Sequence, residues 1–424
     1  MRNTSLTRRG LLGGAVALTA LSACDPAPDP GTSAPRPNLA DVPPLDPKDW
    51  GSVRAQFALD PAVAHFAAFV FASSPASVRN AITIHRTGFD HNPVEYLHAN
   101  EARYGEAIRM AAAGYLGVRT DEICFTNSTT MGLGLVYNGL KLKPGDEILT
   151  TEHDFYSTHE SLRFRTERDG VKVNRVRLYA DPATASVDEI VGNLVKALTP
   201  ATKVVAITWV HSGTGVKLPV RQIADAVAGR ALVCLDSVHG FGAQDAGPDQ
   251  LGVDFLVSGC HKWLFGPRGT GIIWGKPSAW AQLTPVIPSF DFFNSPNPPH
   301  SASPGGYHAY EHEWALSEAF AFHRAIGRDR IAARIHELNG RLKEGLAGTK
   351  SIRLITPRSA DLSAGIVCLD AGGRNPTMLV NGQLKAAGIS ASVTPYSPPY
   401  VRLGASIVTS EAEVDKAIEA CRKL

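Results

Sequence analysis

The sequence contains few cysteines, and none of them form a CxxC pair. There are six in 424 residues. Three lie within apolar runs, where a buried thiol behaves as a small hydrophobic side chain. This pattern indicates neither a disulfide framework nor a zinc site. The cysteines are Cys24, Cys124, Cys234, Cys260, Cys368 and Cys421.

The sequence also lacks a strong net charge. The formal charge is +2, with 19% charged and 44% hydrophobic residues, and the mean hydropathy is −0.06. This balance gives no reason to expect nucleic acid or an acidic partner. The composition is that of a soluble globular protein, and the length predicts two domains that share an interface.

The N-terminus predicts export. Residues 7–12 (TRRGLL) contain the twin arginines Arg8 and Arg9, and the apolar segment after them is too short to span a bilayer. The tetrapeptide LSAC has the form of a lipobox ending at Cys24, which would become the lipidated first residue. The alternative is plain cleavage just before that cysteine. We therefore expect twin-arginine export of a folded protein to the periplasm, with membrane contact only through a lipid anchor.

Composition divides the rest of the chain. After the signal segment of residues 1–24, residues 25–48 are rich in proline and small residues and predict an extended linker. The folded unit should begin near Trp50. Strand and helix patterns then alternate, which predicts a parallel sheet with helices on both faces. We assign residues 49–320 to a large domain and residues 321–424 to a smaller α+β domain.

A lysine stands between two apolar runs in the stretch DFLVSGCHKWLFGPRGTGIIWG, residues 254–275. Both runs predict buried strands, and Lys262 lies between them. Burial disfavours the ammonium form and lowers its pKa, which makes the amine a usable nucleophile for a Schiff base. Taken alone, the position also fits a strand-end lysine whose amine reaches water.

An aspartate ends the preceding strand. Residues 231–242 read ALVCLDSVHGFG, an apolar run that ends at Asp236, with His239 three residues later. A lysine and an aspartate in this order suit pyridoxal phosphate, because the amine holds the aldehyde and the carboxylate keeps the pyridine nitrogen protonated. On the motifs LDSVHG and SGCHKWLFGPRGTG, the sequence resembles the class V aminotransferase family, and within it the isopenicillin N epimerase branch and its exported relatives.

The resemblance covers roughly Trp50 to the end and implies an α/β fold of the fold-type I class. The large domain should contain a mainly parallel seven-stranded sheet between helices. A homodimer with active sites at the subunit interface is also implied. The segment 305–308 (GGYH) departs from the Gly-Thr pair common at that place, which leaves the cross-subunit contact open. His308 and His312 share a helical spacing without a suitable carboxylate, so no metal is expected.

The resemblance also assigns site residues. His153 is expected to stack on the cofactor, and Ser212 and His239 are expected near its phenolic oxygen. Arg402 would pair with a substrate carboxylate, and Asn92 is expected in the site wall. A phosphate cup is expected at a helix N-terminus and beside the lysine, although ordinary helix capping alone would explain the first group. The predicted phosphate-cup residues are Ser128, Thr129, Thr130, Ser258 and His261.

These assignments imply a pyridoxal-phosphate enzyme that acts on the amino group of an amino acid or of an aminoacyl side chain of a peptide. Lys262 would form the internal aldimine and act as general base at Cα, while Asp236 would make the ring an electron sink. The exported relatives favour tailoring of the glutamate side chain of the siderophore pyoverdine. Epimerisation, racemisation and C–S cleavage stay open, whereas desulfuration is disfavoured because residues 383–400 contain no cysteine. An inactive, tethered binding lipoprotein is the alternative of another class.

Overall fold

The computed structural model describes residues 39, 41–290 and 298–424. The twin-arginine segment, Cys24 and most of the predicted linker lie outside this described part. Within it, no helix combines the length and the apolar character needed to cross a membrane.

The strands and helices alternate over most of the chain. The strands are β1 (Ala64–His65), β2 (Ile123–Thr126), β3 (Glu147–Thr151), β4 (Lys172–Val176), β5 (Thr202–Thr208), β6 (Leu232–Asp236), β7 (Phe255–Gly259), β8 (Gly271–Gly275), β9 (Arg353–Leu354), β10 (Val367–Asp370), β11 (Ile389–Ser390), β12 (Ser392–Val393) and β13 (Val401–Leu403). The helices are α1 (Trp50–Ala55), α2 (Ala76–His91), α3 (Pro93–Leu116), α4 (Thr129–Gly139), α5 (Tyr156–Asp169), α6 (Val187–Ala197), α7 (Val220–Val227), α8 (Pro248–Leu251), α9 (Pro277–Trp280), α10 (Pro298–Ala302), α11 (Tyr310–Trp314), α12 (Leu316–Ile326), α13 (Arg328–Leu346), α14 (Pro376–Met378) and α15 (Glu411–Arg422).

The central sheet has seven strands in the order β2-β8-β7-β6-β5-β3-β4. Only β8 is antiparallel to its neighbours. Successive side chains of a strand point to opposite faces, so Leu235 lies in the core on one face while Cys234 lies in the core on the other. Both faces are apolar because helices cover both. The predicted mainly parallel sheet of an α/β fold is confirmed.

Three adjacent parallel strands bring the predicted catalytic residues together. Asp236 is the last residue of β6, Lys262 follows β7, and Ser212 follows β5. The carboxyl ends of parallel strands lie at one edge of the sheet, and α/β proteins bind their ligands at such edges. The loops after β5, β6 and β7 therefore frame one site.

The C-terminal domain contains a four-stranded antiparallel sheet, β12-β13-β10-β9, packed on α13 and α15. Leu338, Leu342 and Leu346 repeat at helical spacing along α13 and are buried in this second core. The helical pattern of the sequence is continuous over residues 313–346, but Gly327 has a φ of 98° and separates α12 from α13. Helix α12 packs on α2 and α3, whereas α13 packs on α15.

The segment around α1 joins the two ends of the chain. Strand β1 pairs in parallel with β11 of the C-terminal domain. The Arg54 guanidinium donates two hydrogen bonds to the Glu413 carboxylate, at 2.6 and 2.8 Å. The last residues of the predicted linker also lie on the folded unit, since Gln56 Nε2 donates to Pro43 O at 2.9 Å.

Candidate active site

Lys262 lies in a tight turn that begins where β7 ends. The turn is closed by a hydrogen bond from Phe265 N to Lys262 O at 2.9 Å, and Phe265 has a φ of 56°. A positive φ is uncommon outside glycine and persists where packing holds it. The Phe265 ring packs on that of Phe57, with centroids 5.1 Å apart. The loop conformation is thus supported by aromatic packing of Phe265.

Lys262 is half-buried, and its amine has no hydrogen bond or ion pair with any described residue. Burial lowers its pKa; the charge of Asp236 opposes this shift, and the charge of Arg402 adds to it. An amine held in this way loses its proton more readily than an exposed lysine. The geometry therefore fits the nucleophile and base that the sequence predicts.

Asp236 is almost fully buried at the end of β6. Its Oδ1 accepts a hydrogen bond from Val238 N at 3.0 Å. Burial raises the pKa of this carboxyl, whereas the Val238 amide and the charge of Lys262 lower it. A buried carboxylate of this kind is stabilised by a cationic partner, which is what a protonated pyridine nitrogen would provide.

The predicted phosphate-cup residues gather where α4 begins. Ser128 caps α4, with its Oγ accepting from Met131 N at 3.2 Å. Thr129 Oγ1 accepts from Gly259 N at 2.7 Å, which joins the helix to β7. Ser258 is buried and donates to Gly259 O at 2.9 Å. Thr130 lies exposed in the first turn of α4.

Two glycines leave room beside this helix end. A Cβ at Gly259 would lie 3.1 Å from both His261 Cε1 and Thr129 Oγ1. A Cβ at Gly271 would lie 3.1 Å from Ser128 N. The free amides of a helix N-terminus bind phosphate groups. The cradle therefore fits the phosphate of the expected cofactor.

Three of the predicted site histidines each have a buried ring nitrogen with no hydrogen-bond partner in the described part of the chain. They are His153 Nε2, His239 Nδ1 and His261 Nδ1. Burial lowers the pKa of all three side chains, so that each is neutral near pH 7. Buried polar atoms without partners are costly and rare. A polar ligand between them would satisfy them, and pyridoxal phosphate has the required acceptors.

His153 is backed by a tyrosine that the sequence motifs did not identify. The His153 and Tyr179 rings are parallel within 6°, with centroids 4.2 Å apart. The buried Tyr179 hydroxyl lies 2.9 Å from both His211 Nδ1 and Thr214 Oγ1. The histidine ring is therefore held flat against a fixed surface. Tyr179 follows β4 in an ordinary loop sequence, which gives no signal of this role.

A second tyrosine missed by the sequence motifs reaches the site from the C-terminal domain. Tyr396 Oη lies 2.6 Å from Ser212 Oγ. Arg402 contacts the same residue, since its Nη1 donates to Ser212 O at 3.0 Å. The Arg402 Nε donates to Ser392 Oγ at 3.0 Å, and the guanidinium lies 4.7 Å from the centroid of the Phe69 ring. The two domains thus meet at Ser212.

Arg402 is 7% exposed. No described aspartate or glutamate lies within ion-pair distance of it, and its hydrogen-bond acceptors are neutral. Burial lowers its pKa. A buried cation is normally paired. The place therefore suits the carboxylate of a bound molecule.

Asn92 stands apart from the other predicted site residues. It lies exposed in the bend between α2 and α3, and its backbone O accepts from Tyr96 N at 2.9 Å. No described hydrogen bond joins it to the other predicted residues. His308 and His312 likewise lie elsewhere, the first bonded to Glu313.

The chain resembles known proteins over most of its length. The family model described as aminotransferase class-V matches residues 73–393. Isopenicillin N epimerase from Streptomyces clavuligerus is 25% identical over 393 residues, which are 88% of this chain and 97% of that protein. A cysteine desulfurase from Pectobacterium atrosepticum is 29% identical over 200 residues, 46% of this chain and 48% of the relative.

Solved structures show the same fold. A mutant of C-DES with glycine covalently linked to its pyridoxal-phosphate cofactor has a TM-score of 0.80 at 19% identity, covering 88% of this chain and 99% of that one. The cysteine desulfurase from Thermococcus onnurineus NA1 has a TM-score of 0.77 at 22% identity, covering 88% and 97%. With the lysine, the buried aspartate and the phosphate cradle in place, the chain belongs to the class V aminotransferase family and is a pyridoxal-phosphate enzyme.

Proposed function

We propose that the enzyme acts on the amino group of an amino acid, either free or as an aminoacyl side chain of a peptide, whose neighbouring carboxylate is bound by Arg402. The observation that carries this proposal is a buried guanidinium with no acidic partner among the described residues. Arginine binds carboxylates with two parallel hydrogen bonds, which fixes orientation as well as charge.

Each residue of the site has a separate role in the proposed reaction. Bound pyridoxal phosphate supplies an electron sink for the pair released at Cα. Lys262 takes the Cα proton, since its lowered pKa makes the free amine accessible. Asp236 would keep the ring nitrogen of the bound cofactor protonated, and His153 would stack on the ring. Arg402 orients the substrate so that Cα lies within reach of the lysine.

The narrower proposal is periplasmic tailoring of the glutamate side chain of a pyoverdine-type siderophore. Such a peptide needs an open entrance. Two aromatic side chains flank the site with much of their surface exposed, Phe71 at 57% and Tyr156 at 61%. The Phe71 centroid lies 6.0 Å from that of His261. Exposed aromatic rings at the mouth suit a substrate larger than a free amino acid.

Epimerisation is the second candidate reaction. It is supported by the likeness to isopenicillin N epimerase along nearly the full chain and by Tyr396 beside Ser212. C–S cleavage has support from the likeness to C-DES. Desulfuration has less support, because every described cysteine is buried and none lies between residues 383 and 400.

The proposal is tested by spectral titration of the yellow holoenzyme with amino acids and with their amides. The acids should perturb the visible absorbance and the amides should not. Arg402→Lys should weaken the effect at least about tenfold, because a lysine lacks the fork geometry. Arg353→Lys is the matched control, since Arg353 is exposed and paired with Asp181. Equal responses to acids and amides would contradict the carboxylate role. A colourless protein would favour the binding lipoprotein instead.

The proposed location is the periplasmic face of the inner membrane, with twin-arginine export followed by lipidation of Cys24. Replacement of Arg8 and Arg9 by lysine should keep the protein in the cytoplasm with cofactor bound. Cys24→Ser should release it into the soluble periplasmic fraction, because a bare proline-rich tether has almost no membrane affinity. A wild-type protein already found in that fraction would contradict lipidation and leave the enzyme proposal unaffected.

A further inference from the structure

Tyr396 reaches the active site from the other domain. It lies in the loop between β12 and β13, and its hydroxyl is 2.6 Å from Ser212 Oγ. Its ring covers Gly213, where an added Cβ would lie 2.9 Å from Tyr396 Cδ2. The Phe155 ring contacts it edge-on at 6.4 Å. The phenol is therefore held in place from several directions.

Lys262 and the Ser212 that Tyr396 contacts lie in loops on the two sides of the strand that ends in Asp236. Strand β6, which ends in Asp236, lies between β5 and β7. Lys262 follows β7, whereas the Ser212 that Tyr396 contacts follows β5. Neighbouring strands are about 4.8 Å apart, so the ends of β5 and β7 are separated by about 10 Å. Arg402 and Tyr396 both contact Ser212, so a substrate whose carboxylate is bound by Arg402 would place its Cα between the Tyr396 loop and the Lys262 loop.

Burial shifts the pKa values of Tyr396 and Lys262 in opposite directions. Burial raises the pKa of Tyr396 to about 12, although its Ser212 hydrogen bond and the charge of Arg402 oppose the shift. The phenol is thus a proton donor near neutral pH. Burial lowers the pKa of Lys262, which favours the free amine, a proton acceptor. Arg402 acts on both groups, because its charge is near each.

We propose that Tyr396 is a catalytic residue, the second acid/base group of this site, and that it exchanges the Cα proton on the side opposite Lys262, so that the enzyme inverts the configuration of its amino-acid substrate. This inference rests on the proposed function and specifies its reaction.

The step balances without a further reactant. The Cα–H bond breaks and its proton passes to Lys262 Nζ, while bound pyridoxal phosphate would supply the electron sink for the pair. The pair then returns to Cα and forms a new C–H bond with the proton of Tyr396 Oη. The phenolate regains a proton and the ammonium loses one through exchange with water. In the reverse direction the two groups change roles.

Hydrogen exchange in D₂O tests the inference with the holoenzyme. The L and D forms of glutamate and alanine are incubated separately, and loss of the α-hydrogen is followed by NMR. The wild type should exchange both enantiomers. Tyr396→Phe should slow exchange of one enantiomer at least about 100-fold and leave the other within about fivefold. Tyr400→Phe, in the same loop but partly buried against another apolar cluster, should behave as wild type.

Two binding measurements separate proton transfer from positioning. The Tyr396→Phe protein should bind pyridoxal phosphate, followed by fluorescence, and glutarate, followed by calorimetry, with affinities within about threefold of wild type. A fall in these affinities with equal slowing for both enantiomers would show a positioning role and overturn the inference, as would an unchanged exchange rate for both.

Two further results are decisive. Wild-type exchange of a single enantiomer of both amino acids would overturn the inference and leave the proposed function intact. Exchange of neither enantiomer, together with no spectral response to amino acids, would contradict the proposed function itself and the inference with it.

Discussion

Two lysines of this enzyme, Lys343 in a buried position and Lys262 in a half-buried one, differ in how their amines are bonded. Lys343, on α13 in the C-terminal domain, donates to Pro357 O at 3.1 Å, to Arg358 O at 2.8 Å and to the Ser363 hydroxyl. Lys262, at the sheet edge, has no such partner in the described chain. Burial lowers the pKa of both amines. A lowered pKa therefore does not distinguish a reactive lysine from a structural one, whereas the hydrogen-bond inventory does.

Two buried arginines show the same contrast. Arg334 is paired with the carboxylates of Glu337, at 3.1 Å, and Glu411, at 2.5 Å. Arg402 is bonded only to neutral oxygens. Away from the active site, Lys343 and Arg334 are bonded within the protein, whereas the amine of Lys262 and the charge of Arg402 are left for a ligand. Incomplete bonding in a concave site is a physical mark of function.

The largest effect on turnover is expected from replacing Lys262. Lys262→Ala should lower turnover by about 10²–10⁴-fold, since both the nucleophile and the base are lost. Borohydride, which fixes the cofactor to the wild type, should leave no covalent adduct. The melting temperature should hardly change, because no hydrogen bond of the apoprotein is lost. A reducible adduct at another lysine in the variant, detected by peptide mass spectrometry, would break the comparison.

The next effect concerns the carboxylate at the same edge. Asp236→Ala should lower turnover by about 10–100-fold, the value of one charge-assisted hydrogen bond, with a smaller change in substrate affinity. Asp254→Ala is the control, since Asp254 is paired with Lys276 at 3.1 Å at the opposite end of β7. It should affect stability more than turnover. Near-normal turnover in Asp236→Ala, measured by steady-state kinetics, would remove Asp236 from the mechanism.

Replacing Lys343, whose amine is hydrogen-bonded within the protein, should lower stability and leave turnover nearly unchanged. Lys343→Met keeps the length of the side chain but leaves two buried carbonyl oxygens without their donor. We expect a loss of about 1–3 kcal/mol in the free energy of unfolding, measured in urea. Pyridoxal-phosphate binding and turnover should stay within about twofold of wild type. Loss of cofactor binding without loss of stability would show that Lys343 contributes to the active site, which contradicts the distinction between the two lysines.

The smallest effect is expected in how the free energy of unfolding depends on pH, through the amine of Lys343. Burial lowers the pKa of Lys343 to about 8 from 10.5. Between these two values the unfolded chain binds the proton that the folded chain has released, so stability attributable to this lysine rises with pH across that window. Lys343→Met should lack this rise. Parallel stability curves for the two proteins from pH 8 to 10 would show that the amine keeps its proton in the fold.

Sequence patterns predicted the central sheet well because each strand is a short apolar run with a polar residue at its end. Asp236 and Lys262 could be placed at one edge for the same reason: neighbouring parallel strands end together. Arg402 could be named only through the family resemblance, since one arginine on a strand has no local signal. Its isolation from acidic groups is a property of the folded chain.

Tyr179 and Tyr396 could not be predicted from the sequence. Each acts through a contact with a residue distant along the chain, and neither belongs to a motif. The division at Gly327 was also missed, because periodicity continues through it while the backbone changes direction. Such features depend on tertiary packing rather than on local preference.

The pairing of β1 with β11 has a consequence for biosynthesis. Residues 64 and 65 have no strand partner until residues 389 and 390 have been synthesised. Arg54 likewise has no ion-pair partner until Glu413 has been synthesised. Contacts at such long sequence separation form late, because the intervening chain must be ordered first. Phe69, which lies against Arg402, belongs to the same N-terminal segment. This side of the active site can therefore form only after synthesis has passed residue 413, and a complete cofactor site is expected only after that point.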